Sequence, residues 1–313
     1  MEFDAITVAL FLAAGVRLAV PVVLAALGET LSERAGVFTI GLEGIMLFGA
    51  VASAVGLART GSPVGALAIG AAGGLVAAMV LALGTVLARA NQIVMGIGFN
   101  LAALGVSSLI RQLALVDGGP LPSLRPVTRM EIPGLADIPV LGRAFFLQSP
   151  VFYLTVLVAV LFWWLLRFTR IGLVLRATGE SAAATDSAGV PVLRVRFWAA
   201  AVTGLMAGLG GAYLCIVASG GTFVDNMTAG RGYLAIAIAI FARWRPLGVL
   251  LVGFVLGLME ALQFQGQYFG LGIPTPLLMA APFVVALIAW VVMGRAGTAP
   301  GDLGKPFLRG SAQ

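Results

Sequence analysis

The segment NQIVMGIGFN at residues 91–100 sets Asn91, Gln92 and Asn100 into an otherwise apolar run. Carboxamides in such a place either hold helices together or offer donors and acceptors to a neutral polar solute. Gly96 and Gly98 between them let backbone approach closely, and Phe99 presents a ring able to stack on a base or sugar or simply to pack. A second polar strip, MEALQFQGQ at 259–267, contains Glu260 and Gln263, whose three-residue spacing puts them on one helix face. Asn91, Gln92, Phe99, Asn100, Glu260 and Gln263 are therefore the candidate lining of a solute path. Structural bonding remains the competing reading for each.

Bond-making chemistry finds little support. The chain has no histidine, so neither a Ser-His-Asp triad nor an HExxH metal site can be assembled, and one cysteine, Cys215, cannot form a zinc cage or an intrachain disulfide. The stretch APGDLGK at 299–305 loosely resembles a phosphate-binding loop. It lacks the first glycine and has Pro306 where the following Ser or Thr would stand. The expectation is a non-enzymatic chain that binds no metal or cofactor.

The elements that would position these residues are membrane helices. Hydrophobic residues make up 60% of the 313 and charged residues 10%, against roughly 25% charged in ordinary globular domains. Intervals 60–88, 90–110, 144–166, 197–224 and 261–294 carry no Asp, Glu, Lys or Arg. About 20 apolar residues suffice to cross a bilayer, so these intervals supply repeated spans. Glu2 and Asp4 stand where a signal peptide would be basic, which predicts a retained first hydrophobic element. The fold expected is an all-α polytopic membrane domain over 1–313, with about nine or ten membrane elements, some short or broken. GxxxG pairs at Gly70/Gly74, Gly204/Gly208 and Gly253/Gly257 predict close helix crossings.

Charge gives orientation. The net charge of +6 is unevenly spread, because 117–146 balances its charges while 167–196 holds Arg167, Arg170, Arg176, Arg194 and Arg196 against Glu180 and Asp186. The positive-inside rule therefore makes 117–146 an external connector and 171–195 a cytoplasmic region. Within the latter, Arg176 to Gly189 reads as a short helix rather than a crossing. No soluble basic face marks a nucleic-acid binder.

Ordered patches along the chain resemble one family, the integral-membrane permeases of bacterial ABC importers for nucleosides and related simple sugars. They are LGETLSERAGVFTIGLEGIMLFGA at 27–50, NQIVMGIGFNLAALG at 91–105, IPGLADIPVLG at 132–142, GLVLRATGESAAATDSAGVPVLRVRFWAAAVTGLMAGLGGAY at 172–213, RGYLAIAIAIFARWRPLG at 231–248 and GKPFLRG at 304–310. The resemblance implies a multi-pass subunit of the bacterial cytoplasmic (inner) membrane. It would pair with a second permease, a cytoplasmic ABC ATPase holding ATP and magnesium, and an external solute-binding protein or lipoprotein. It also implies that Gly179–Gly189 is the coupling region, with Arg176, Gly179, Glu180, Asp186 and Gly189 contacting the ATPase. IPGLADIPVLG favours nucleosides over ribose-like sugars. An amino-acid ABC permease, an ion-coupled transporter and a passive channel are the alternatives.

Overall fold

The computed structural model describes residues 5–116, 130–131, 134–135, 138–265, 277, 280–281, 284–285, 287–288 and 299–308. Most of the last expected membrane segment, 276–293, and the 117–129 part of the expected connector lie outside the described residues.

Helices account for nearly all of the described chain: α1 (Ala5–Arg34), α2 (Leu42–Thr60), α3 (Pro63–Ala82), α4 (Gln92–Arg111), α5 (Leu141–Phe145), α6 (Pro150–Phe168), α7 (Arg170–Glu180), α8 (Ala182–Ser187), α9 (Val192–Tyr213), α10 (Arg231–Phe241) and α11 (Pro246–Gln265). A two-residue pairing of Met130–Glu131 with Leu147–Gln148 is the one β element among the described residues. Seven of the helices are long and apolar enough to cross a membrane, and α10 is a shorter apolar helix. The all-α polytopic expectation therefore stands.

Sequence chemistry sets the helix ends. Ser62 Oγ accepts from Gly65 N–H at the start of α3, and Pro63 occupies the first helical position, where its missing N–H costs nothing. Gly61 closes α2 in a left-handed conformation that lets its N–H reach Leu57 O. In the first turn of α4, Asn91 Oδ1 accepts from Ile93 and Val94 N–H.

The long α1 is the centre of the bundle. Leu24, Ala25, Ala26 and Leu27 are all 0% exposed, so this turn is covered on every side, as expected of a helix that is apolar all round. It runs antiparallel to α9, with Gly28 beside Thr203 and Pro21 beside Gly210, and antiparallel to α11, where Ala19 and Gly15 O face Gly257. The α3–α9 crossing uses the glycines that the sequence singled out. A Cβ on Gly74 would collide with the backbone of Gly208, and one on Gly204 with Ala78 and Gly74 O. Missing side chains thus permit backbone contact in a medium where lipid tails are as apolar as leucine and close packing must supply the association.

One end of the bundle collects the α1–α2 loop (residues 35–41), the α7–α8 elbow, the 242–245 corner and the 299–308 tail. Arg34 donates to the carbonyls of Trp244 and Arg243, and Gly304 N–H donates to Gly36 O. Lys305 is in the tail, Arg170 and Arg176 are on α7, and Arg194 and Arg196 are in the first turns of α9, where Arg196 bonds Ala35 O and Lys305 O, so this is the basic end of the bundle. The opposite end carries the α2–α3 turn and the exposed Arg111–Asp225 pair at 2.8 Å.

Candidate functional site

Both polar strips converge on the start of α10. Buried Asn100 receives Gly44 N–H on Oδ1 at 2.8 Å, and its Nδ2 donates to Ile40 O at 2.9 Å and to Tyr233 Oη at 2.8 Å. One carboxamide therefore ties α4 to the α1–α2 loop, the first turn of α2 and α10. Gln92, also buried, accepts Phe38 N–H on Oε1 at 2.7 Å. Asn91 is exposed, and its oxygen is occupied as the α4 cap. Half-buried Phe99 packs against Phe48 with ring centroids 5.8 Å apart.

From the other side, Glu260 pairs with Arg231, whose Nη1 also donates to Met227 O at 3.2 Å. Gln263 lies half-buried on the same helix as Glu260, three residues further on. Arg231 and Tyr233 are two positions apart on a helix and so point to opposite flanks of α10. The amide strip and the acidic strip thus hold this short helix from two sides.

The N-terminus of α10 opens inside the bundle, and a side chain from α2 satisfies it. Glu43 accepts Gly230 N–H on Oε1 at 2.8 Å and Gly232 N–H on Oε2 at 2.6 Å. A carboxylate there meets both the unpaired donors and the positive end of the helix dipole. Gly232 must be glycine, because a Cβ would strike the backbone of Glu43.

A further buried cluster was not singled out in the sequence. Glu29 and Glu33, one turn apart on α1, are both 0% exposed. Glu29 Oε1 accepts Thr39 N–H from the α1–α2 loop at 2.8 Å, and Glu33 Oε2 accepts the indole N–H of Trp244 from the 242–245 corner. Their other oxygens, Glu29 Oε2 and Glu33 Oε1, take no N–H or O–H donor among the described residues. The signal was present in LGETLSER, since acids in an apolar setting are costly and mark a position under demand. Glu43 in IGLEGIM carries the same signal.

At the basic end, the expected coupling region comprises two helices, α7 and α8, meeting at Ser181, which caps α8 by accepting Ala184 N–H. Gly179 is buried against Arg34 O, so close that a Cβ would overlap it. The 299–308 tail clamps the elbow. Asp302 N–H donates to Gly179 O at 2.8 Å, and Asp302 Oδ2 accepts Ala182 N–H at 2.7 Å. Buried Arg196 joins Ala35 O at 3.2 Å to Lys305 O at 2.7 Å. Glu180, Arg176 and Gly189 are exposed and Asp186 half-buried, so these four are accessible from outside while Gly179 is not. Asp302 and Arg196 were missed because the bonds that define them span more than 100 residues.

Comparison with known proteins places this arrangement in context. Residues 11–287 match the model of the family described as branched-chain amino acid transport system / permease component. The guanosine ABC transporter permease protein NupQ of Bacillus subtilis is 36% identical over 310 residues, covering 93% of this chain and 94% of that protein. The nucleoside ABC transporter permease protein NupC of Lactococcus lactis is 32% identical over 298 residues, covering 92% and 93%. The putative glucose ABC transporter permease protein TsgC13 of Haloferax volcanii is 35% identical over 264 residues, covering 83% and 78%. No solved structure matches.

Proposed function

The chain belongs to the permease family of branched-chain amino acid transport systems, and from that premise we propose that it carries nucleosides inward as one subunit of an ATP-driven importer. The observation that carries the nucleoside reading is the end-to-end likeness to the guanosine permease. A nucleoside is neutral, rich in donors and acceptors, and has a flat ring to stack. The exposed Tyr233 ring, with half-buried Phe99 beside Asn100, offers surfaces for a base to stack on, whereas Asn100 and Gln92 are bonded to neighbouring groups and meet cargo only when those bonds exchange.

In this reading the moving part is α10 with its neighbouring loops. Asn100, Glu43 and Glu260 hold the helix start, and Trp244 ties its far end to Glu33 on α1. A partner ATPase docks on the exposed residues Arg176, Glu180, Asp186 and Gly189, with Gly179 packed beneath them. Displacing the elbow pulls through Gly179 and the tail on the α1–α2 loop, to which Gln92 and Asn100 are bonded. ATP binding and hydrolysis in the partner then favour one helix arrangement, and solute delivered from an external binding protein favours the other. The chain sits as a multi-pass protein in the bacterial cytoplasmic membrane beside a second permease.

A sugar cargo is the second reading, favoured by the likeness to the glucose permease. Measuring ATPase stimulation of the reconstituted complex by guanosine, adenosine, cytidine, ribose, glucose and leucine separates the readings. Stimulation by nucleosides and not by ribose, glucose or leucine is the expected result. Stimulation by sugars alone would replace it with the second reading.

A further inference from the structure

At the basic end, α6, α7 and α9 enclose an apolar groove of about 520 Å³. Phe162, Leu165, Val174, Val195 and Val202 line it, and Arg170 and Arg194 stand in the same wall. Both arginines are exposed, and neither belongs to an ion pair among the described residues. Each also sits in the first turn of its helix, α7 or α9, where no acidic residue is present. The positive end of a helix dipole disfavours a cation, so two guanidiniums beside two helix starts make a concentration of positive charge that no ion pair among the described residues compensates. Beside the two arginines, large apolar side chains are exposed around the groove: Trp198 is 67% exposed, Ile171 63% and Leu173 60%. Such a surface belongs against acyl chains and headgroups, with tryptophan at the interface. On α8 the exposed positions are instead Ala183, Ala184 and Ser187, a small and polar face.

We propose that this groove is a binding site for an anionic phospholipid of the cytoplasmic leaflet, its phosphate between Arg170 and Arg194 and an acyl chain lying along Phe162, Val174 and Val202. Positive charge on the rim matches the headgroup, and the apolar wall matches the tail. A net-neutral headgroup such as phosphatidylcholine sets its own choline cation beside the phosphate and so compensates the two arginines less. Through α7 the lipid reaches the elbow on which the coupling proposal rests, yet the site itself depends only on the groove and its charges.

Native mass spectrometry of the full chain in detergent, titrated with dioleoylphosphatidylglycerol or dioleoylphosphatidylcholine, tests the proposal. Phosphatidylglycerol is expected to bind roughly tenfold or more tighter. Arg170→Gln with Arg194→Gln should reduce its binding to the phosphatidylcholine level, while Arg59→Gln at the opposite end leaves the preference intact. Val195→Trp, which fills the groove without touching a charge, should weaken phosphatidylglycerol binding and carries the test if the double variant fails to fold. Equal binding of the two lipids by the wild-type chain would overturn the proposal. So would equally effective displacement by inorganic phosphate, which would make the site a simple anion site. Retained phosphatidylglycerol binding in the double variant together with lost ATPase co-purification would assign the groove to the ATPase and also overturn it.

Discussion

Asn100 is buried and makes three hydrogen bonds to three different elements, so its replacement tests architecture before it tests transport. Asn100→Leu leaves Gly44 N–H and Ile40 O without their partner, at about 1–3 kcal/mol for a buried unsatisfied group. The expected outcome is a lower melting temperature of the purified permease together with reduced uptake. Gln92→Leu removes the bond to Phe38 N–H and should lower stability less. Tyr233→Phe is the cleaner probe of cargo contact, because the ring is 47% exposed and only the hydroxyl is lost. A raised KM for nucleoside uptake is expected, with a smaller drop in melting temperature than in Asn100→Leu, because the lost hydroxyl leaves one Asn100 Nδ2 donor unpaired; unchanged uptake kinetics would remove Tyr233 from the path. At this scale the sequence marked the amides and Glu260 by their cost in apolar runs, although the same signal at Glu29, Glu33 and Glu43 was passed over. It left open whether each amide binds solute or backbone. Gln92 and Asn100 acquire their partners from residues 54 and 56 positions away, and no local pattern encodes such pairings.

Helices and their crossings were the most legible level, because long neutral runs and GxxxG spacing directly reflect lipid burial and backbone approach. Gly74→Leu should drive α3 from α9, where its backbone meets Gly208, and reduce the yield of folded, membrane-inserted protein. Arginine bias and the family resemblance marked 171–195 as the proposed coupling region, yet its division into α7 and α8 and its clamp by the tail depend on folding. Glu180→Lys, on an exposed site, should lower solute-stimulated ATPase activity while the melting temperature stays unchanged. Gly179→Val, by contrast, forces a side chain into Arg34 O and should reduce folded yield first. Equal losses of insertion and coupling in Glu180→Lys would give the elbow a folding role only. Asp302→Ala removes the acceptor for Ala182 N–H, and ATP hydrolysis is expected to become less dependent on solute as the elbow loosens. Solute dependence equal to wild type would show that the clamp does not transmit.

Across the whole molecule, the basic end joins the elbow, the tail, the α1–α2 loop and the 242–245 corner into one bonded unit, while α10 opens within the bundle. The account's central claim is that force applied at that end moves nucleoside past α10. Its most direct test is uptake of radiolabelled guanosine into proteoliposomes containing this chain with its second permease, ATPase and solute-binding protein. Accumulation that requires both hydrolysable ATP and the binding protein, and that excess unlabelled adenosine suppresses but leucine and glucose do not, is the predicted result. Guanosine entry that equilibrates without ATP, or no guanosine entry while glucose or leucine accumulates, would contradict it.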